Sequence, residues 1–332
     1  MQNKTNIRLG TTLYSFTNEF HGREYTFEQL VRKVAELDLG PGVEVVGFQS
    51  IRSFPTVDRD YVTWFRDLLG ECGLEASCLG LNADINLRPG HPMSLDDAIE
   101  TQRVQLETAA KLGFKVARVQ GYILGPEAFE RLLPDAERLG VKMGIEIHAP
   151  YSVNHPQIMA YRESIERMDS PYLGFIPDFS TSAIDVPPSY LAAARDAGAG
   201  DDVIKDAVEL WHSNSTPPDR KLLVERWEHK VPVRALGLLA RMFGMFGRQP
   251  AEAWKEIMPH VVHVHGKFYE IDEHGEEPAI PLRSLLPLFV EAGYDGYISS
   301  EWEGFVFSDD NGIDKVQRQQ KLAVEILDAV AA

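Results

Sequence analysis

The sequence predicts a (β/α)8 barrel, and three observations carry that prediction. Eight short β-rich runs recur along the 332 residues, at 7–13, 43–46, 76–81, 116–120, 143–148, 172–178, 261–267 and 297–302. The first six start 27 to 40 residues apart, which is the length of a strand, a helix and two short loops. Apolar residues at helical spacing fill the gaps, and eight strands alternating with helices favour a closed parallel sheet. An open, doubly wound sheet is the competing architecture, but no run is followed by the G-x-G-x-x-G loop of nucleotide-binding sheets.

In chain order, the segment 26–37 places Phe27, Leu30, Val31, Val34 and Leu37 on one helical stripe, and 96–112 repeats the pattern before Gly113. A glycine just past a helical run allows the left-handed turn back into a strand. Gly73, Gly113 and Gly293 stand in that place before the third, fourth and eighth runs. The rhythm breaks after the sixth run, where the chain from Asp178 to Val261 spends more than twice the usual span. Helices are predicted there over 188–197, 201–212, 218–230, 233–246 and 251–258. The expected organisation is one barrel domain, 1–332, carrying a helical insertion at 179–258 between strands six and seven. Its stretch Leu236-Gly-Leu-Leu-Ala-Arg-Met-Phe-Gly-Met-Phe is too apolar to lie bare. It is expected to pack on the barrel wall, or else to cover the mouth or meet another subunit.

Composition narrows the function classes. There are 33 Lys and Arg against 50 Asp and Glu, a net charge of −17, which argues against a nonspecific grip on nucleic acid. Cys72 and Cys78 are six positions apart and form neither a disulfide framework nor a CxxC knuckle. No run approaches the roughly 18 apolar residues of a membrane span, and the first residues lack the apolar core of a signal peptide. A cytoplasmic protein that binds no membrane is expected.

Barrels of this kind carry their chemistry at the C-terminal ends of the strands. The fifth run ends Gly144-Ile-Glu146-Ile-His148 and the sixth ends Phe175-Ile-Pro-Asp178. The seventh reads Val262-His-Val-His265-Gly-Lys267 and the eighth Ser299-Ser-Glu301-Trp-Glu303. Side chains alternate along a strand, so Glu146 and His148 share one side, and His263, His265 and Lys267 share another. The intervening Ile145, Ile147, Val262 and Val264 are expected to face the outer helices, which aims the polar set inward. Carboxylates buried there need partners or a metal.

One divalent cation held by Glu146, Asp178, His265 and Glu301 satisfies them together. Three carboxylates and one imidazole form an oxygen-rich set suited to Mn²⁺ first and Mg²⁺ second. The competing reading is a salt-bridge layer with Lys267 and Arg118 as counterions. His148 lies about 6.6 Å beyond Glu146 along the strand, and its ordinary pKa suits a general base, or else it orients a carboxylate. Lys267 and Gln120 are candidates for holding substrate oxygens. Tyr14 and Trp302 are candidates for a stacking wall, with core packing as the alternative.

At these residues the chain resembles the xylose-isomerase-like TIM-barrel superfamily, which includes sugar-phosphate isomerases and epimerases, ketose 3-epimerases and inosose dehydratases. The resemblance implies that Glu146, Asp178, His265 and Glu301 bind a divalent metal. Two features depart from the epimerase pattern. After Asp178 the chain reads Phe-Ser-Thr where many epimerases carry a histidine, and the insertion contains Trp211-His-Ser-Asn-Ser and Arg226-Trp-Glu-His-Lys. With the length, these look most like the larger, metal-binding subunit of bacterial C-glycoside deglycosidases. That likeness implies a metal-dependent lyase acting on 3-oxo-C-glucosyl flavonoids, and pairing with a small β-rich companion subunit. The alternatives are a sugar or cyclitol isomerase, epimerase or dehydratase using the same chemistry, the DNA-repair branch of this fold, and a non-catalytic scaffold. The acidic charge and single metal set speak against DNA repair.

Overall fold

In the computed structural model, which describes residues 2–84, 86, 90–213 and 220–331, the eight expected strands form a parallel ring. They are β1 (Arg8–Thr12), β2 (Gly42–Val46), β3 (Glu75–Gly80), β4 (Val116–Val119), β5 (Lys142–Ile147), β6 (Leu173–Pro177), β7 (Val264–Phe268) and β8 (Tyr297–Trp302). Neighbours run 6-5-4-3-2-1-8-7, and single parallel bridges at Phe175–Val261 and Asp178–His265 join β6 to β7. Seven strands lie within one residue of their predicted ends. The seventh starts three residues late, because the backbone of 261–263 pairs with β6 only through the bridge at Val261 and the Val262 N–H donated to the Phe175 carbonyl at 3.0 Å.

That irregularity corrects one expectation. Val262 does not face the helices; it packs with Cys78, Val116 and Ile176 inside the ring and forms its floor. Gly144 makes room for this plug, since a Cβ there would sit 2.4 Å from Ile176 Cγ1 and 2.9 Å from Val262 Cγ2.

Helices cover the ring on the outside. Phe27–Glu36 opens on a capping box in which Thr26 and Gln29 satisfy each other's backbone N–H groups, and it buries Leu30, Val31 and Val34. Leu95–Leu112 starts on the Ser94 hydroxyl, which accepts the Asp97 N–H. Gly73 and Gly113 close their helices with φ of 66° and 98°, as the return to strand requires.

The insertion is helical as predicted, with helices Pro188–Asp196, Asp201–His212, Arg220–Trp227 and Val233–Met245. Pro218, where the third of these was expected to begin, and Asn214 and Ser215 of the Trp211 motif lie outside the described residues. The segment expected as a helix at 251–258 is instead two 3-10 turns, Ala251–Glu256 and Met258–His260. Pro259 removes a backbone donor and disfavours α geometry at the residue before it. The apolar stretch from Leu236 buries Leu239, Met242, Phe243 and Phe246, with the Tyr190 ring edge-on to Phe246 at 5.1 Å. Its other face carries Gly237, Arg241 and Gly244 in the open. Among the described residues, no helix is long and apolar enough to cross a membrane.

Candidate active site

Alternation along β2, β4, β5, β7 and β8 sends polar side chains into the upper half of the ring: Glu44, Arg118, Glu146, His265 with Lys267, and Glu301. Glu146, Asp178, His265 and Glu301, the four residues singled out in the sequence, each offer an atom within 4.8 Å of the others. His265 Nδ1 lies 2.8 Å from Glu146 Oε1, 3.2 Å from Glu301 Oε2 and 3.8 Å from Asp178 Oδ2. Asp178 is oriented by its own chain: its Oδ1 accepts the Ser180 N–H at 2.8 Å. This leaves Asp178 Oδ2, like Glu301 Oε2, buried without a hydrogen bond. Buried oxygens of this kind are costly unless a cation faces them.

The charges around the four are unequal. Five buried or nearly buried carboxylates, Glu44, Glu146, Asp178, Glu301 and Glu303, face the permanent cations Arg118 and Lys267. Lys267 Nζ donates to Glu301 Oε1 at 2.8 Å and Glu303 Oε2 at 3.0 Å, with Asp178 Oδ2 at 3.5 Å. Arg118 Nε lies 3.7 Å from Glu146 Oε2. These are the counterions considered in the sequence, and the carboxylates outnumber them.

The pKa shifts follow. Burial pushes Glu146 up, but Arg118 and His265 outweigh it and hold it at about 2. Burial pushes Glu301 up to about 7, against the pull of Lys267 and His265. At Asp178 burial loses to Lys267 and His148, which hold the carboxyl well below its usual range. At His265 burial is outweighed by Glu44, Glu301 and Glu146, so the imidazole is raised well above its usual value. Such a set can hold a divalent cation, which would answer both the orphaned oxygens and the surplus charge.

Glu44 is the residue that sequence reasoning missed. Its Oε1 lies 3.0 Å from His265 Nε2 and its Oε2 2.9 Å from His263 Nε2, which also lies 3.0 Å from Ser299 Oγ. It therefore stands as the acidic neighbour behind the ring whose Nδ1 faces the other three carboxylates, although the geometry at Nε2 falls short of a hydrogen bond. The signal was available in the sequence: Val43 and Val45 flank Glu44 in the same in-out alternation as the later strands. Glu44, Cys78 and His263 also form a second tight group beneath the first.

Above the four lies a cavity of about 200 Å³ whose walls include Tyr14, Phe48, Gln120, His148 and Lys267. His148 Nδ1 is 2.6 Å from the Ala149 carbonyl, so that nitrogen carries the proton and donates it, leaving Nε2 as the acceptor. Burial would lower this imidazole, but Asp178 and Glu146 raise it on balance. Gln120 Oε1 accepts the Ala83 N–H at 3.1 Å, which leaves its amide nitrogen for a ligand. Lys267 is tied to carboxylates and not a free hand, and Tyr14 O–H sits 3.2 Å from Glu303 Oε1. Trp302 needs correcting: it is fully buried on the outer side of β8, packed on Gly312 and donating Nε1–H to the Tyr269 carbonyl at 2.8 Å. Alternation from the inward Glu301 puts it there, so it is not a cavity wall.

Against known proteins, residues 31–323 match the family described as the xylose isomerase-like TIM barrel. The chain belongs to this family. Within the xylose isomerase-like TIM barrels it is 44% identical over 340 residues to the 3'-dehydrocarminate deglycosidase alpha subunit of a Microbacterium species, covering 98% of this chain and 97% of that one. It is 42% identical over 307 residues to the C-glycoside deglycosidase alpha subunit of Microbacterium trichothecenolyticum, covering 89% and 83%. Among solved structures, D-psicose 3-epimerase from Clostridium cellulolyticum H10 superposes with a TM-score of 0.60 at 11% identity, covering 97% and 99%. That last likeness is one of fold.

Proposed function

We propose that this chain is the catalytic, metal-binding subunit of a C-glycoside deglycosidase, a lyase that releases an aromatic aglycone from 3-oxo-C-glucosyl compounds. The observation that carries the reading is the meeting of Glu146, Asp178, His265 and Glu301 beneath a cavity edged by His148. The names of the relatives at 42–44% identity support the substrate class, and the word alpha in them supports a companion subunit, here taken as small and β-rich.

A carbon–carbon link to the aglycone offers no leaving oxygen for two-carboxylate hydrolysis. A ketone at sugar C3 instead makes the C2 proton acidic. His148 Nε2 takes that proton; the C2 electrons form a C1=C2 bond, and the C1–aryl bond breaks. The electron pair of the broken bond stays on the aryl carbon, which takes up a proton from water and leaves as the free phenolic compound, while His148 returns its proton to the solvent. Gln120 holds a sugar oxygen through its amide nitrogen while this happens, Lys267 keeps Glu301 and Glu303 in place, and Tyr14 closes the side wall. A divalent cation bound by the four ligands, Mn²⁺ before Mg²⁺, supplies Lewis-acid charge to sugar oxygens. Glu44 acts through His265 as the acidic neighbour behind its ring. Glu44→Gln is expected to weaken Mn²⁺ binding about 10–100-fold, read by calorimetric titration; unchanged affinity would remove Glu44 from the role.

The test of the whole reading is incubation of the chain with Mn²⁺ and a 3-oxo-C-glucosyl flavone in deuterated buffer, with and without the protein that co-purifies with it from its native host. Metal-dependent release of the free flavone is expected. Deuterium uptake at C2 with no flavone released would favour an isomerase or epimerase, and the absence of both uptake and release would sink the proposal.

A further inference from the structure

The cavity above the four ligands is one of two chambers. A second, of about 480 Å³, shares His148 and Glu303 with it and lies against the exposed face of the helix Val233–Met245. The two differ in chemistry: the inner is walled by carboxylates, while the outer has Arg241, Arg220 and Met245. In an acidic chain of net charge −17, two guanidinium groups at one opening are unexpected. Among the described residues neither is held in an ion pair, and both line the chamber.

The helix carries a second sign. Gly237 and Gly244 are two turns apart, both line the outer chamber, and a Cβ built on either meets nothing within 4 Å. Packing therefore does not require glycine at these positions. Each costs the helix roughly 1 kcal/mol relative to alanine. What both do is keep the backbone bare beside Arg241, so that a flat molecule can lie against it. A guanidinium stacks on aromatic faces and pairs with oxyanions, and a thioether packs well on ring edges.

We infer that the outer chamber is the aglycone subsite, and that it selects aromatic aglycones bearing a carboxylate through Arg241 and Arg220 over the Gly237–Gly244 face. The inference rests on the C-glycoside reading above and deepens it: the polar inner chamber takes the sugar and the outer one the ring system, with His148 at their junction.

The experiment measures binding of two aglycone-like probes to the full chain loaded with Mn²⁺. The probes are 4,5-dihydroxyanthraquinone-2-carboxylate and the same anthraquinone without the carboxylate. The parent chain is expected to bind the carboxylate about tenfold more tightly. Arg241→Ala and Arg220→Ala each reduce that preference, and the double variant abolishes it. Gly237→Leu/Gly244→Leu, which fills open space on a helix that gains propensity, keeps its melting temperature and its Mn²⁺ affinity but loses at least tenfold in binding both probes. Equal affinity for the two probes in the parent chain, or unchanged binding in the leucine variant, overturns the subsite. If the probes behave as expected while no 3-oxo-C-glucoside is cleaved, the deglycosidase reading fails and the subsite stands. If the leucine variant cleaves a 3-oxo-C-glucoside at the parental rate, the subsite fails and the deglycosidase reading stands.

Discussion

Asp178→Asn is expected to lose its bound divalent ion and at least ~10³-fold of its elimination rate. The Lewis-acid contribution of a catalytic cation is several kcal/mol, and each ~1.36 kcal/mol is tenfold. The substitution is chosen because the fold should survive it. Asparagine keeps the volume and the oxygen that accepts the Ser180 N–H, and Lys267 remains paired with Glu301 and Glu303. Only the second oxygen, Asp178 Oδ2, is exchanged for an N–H group that repels a cation. Metal content by atomic emission and turnover of an oxidised C-glucoside are the two readings. In the parent chain, chelation should have the same effect and Mn²⁺ should reverse it, whereas added Mn²⁺ should not rescue the variant. A variant that keeps parental metal and rate would mean that the four residues are only a salt-bridge layer.

His148→Ala separates the base from the ligands. Loss of a positioned general base costs about 10²–10⁴ in rate, and the metal should stay, since the imidazole is not among the four grouped ligands. Exchange of the C2 proton with deuterated water should fall together with aglycone release, because both need the same proton to leave. If exchange persists while release stops, His148 acts later, on the aromatic leaving group. Parental rates for both would remove it from the chemistry.

The ring of strands was legible because alternation and spacing are local signals: seven of eight strand positions follow from where β-branched runs start and glycines stop the helices. The four grouped ligands were legible for the same reason: Glu146 and Glu301 are the last inward positions of β5 and β8, Asp178 follows β6 directly, and His265 stands one inward step before Lys267 on β7. The same rule, applied one residue further, places Trp302 outside the ring, and applied to β2 it finds Glu44. What the rule does not reach is Val262, where the strand begins irregularly, and the outer chamber. Which face of the helix Val233–Met245 meets the mouth depends on how the insertion packs through Tyr190, Phe243 and Phe246, and no spacing within that helix encodes this.

The plug of Cys78, Val116, Ile176 and Val262 stops the ring at its lower end. A cul-de-sac has one doorway, and traffic through it is ordered by depth. A two-part molecule whose sugar lies innermost must enter sugar-first. After scission the outer ring system has to clear the threshold before the inner fragment can follow, so the sequence of departures is set by architecture and not by relative affinity.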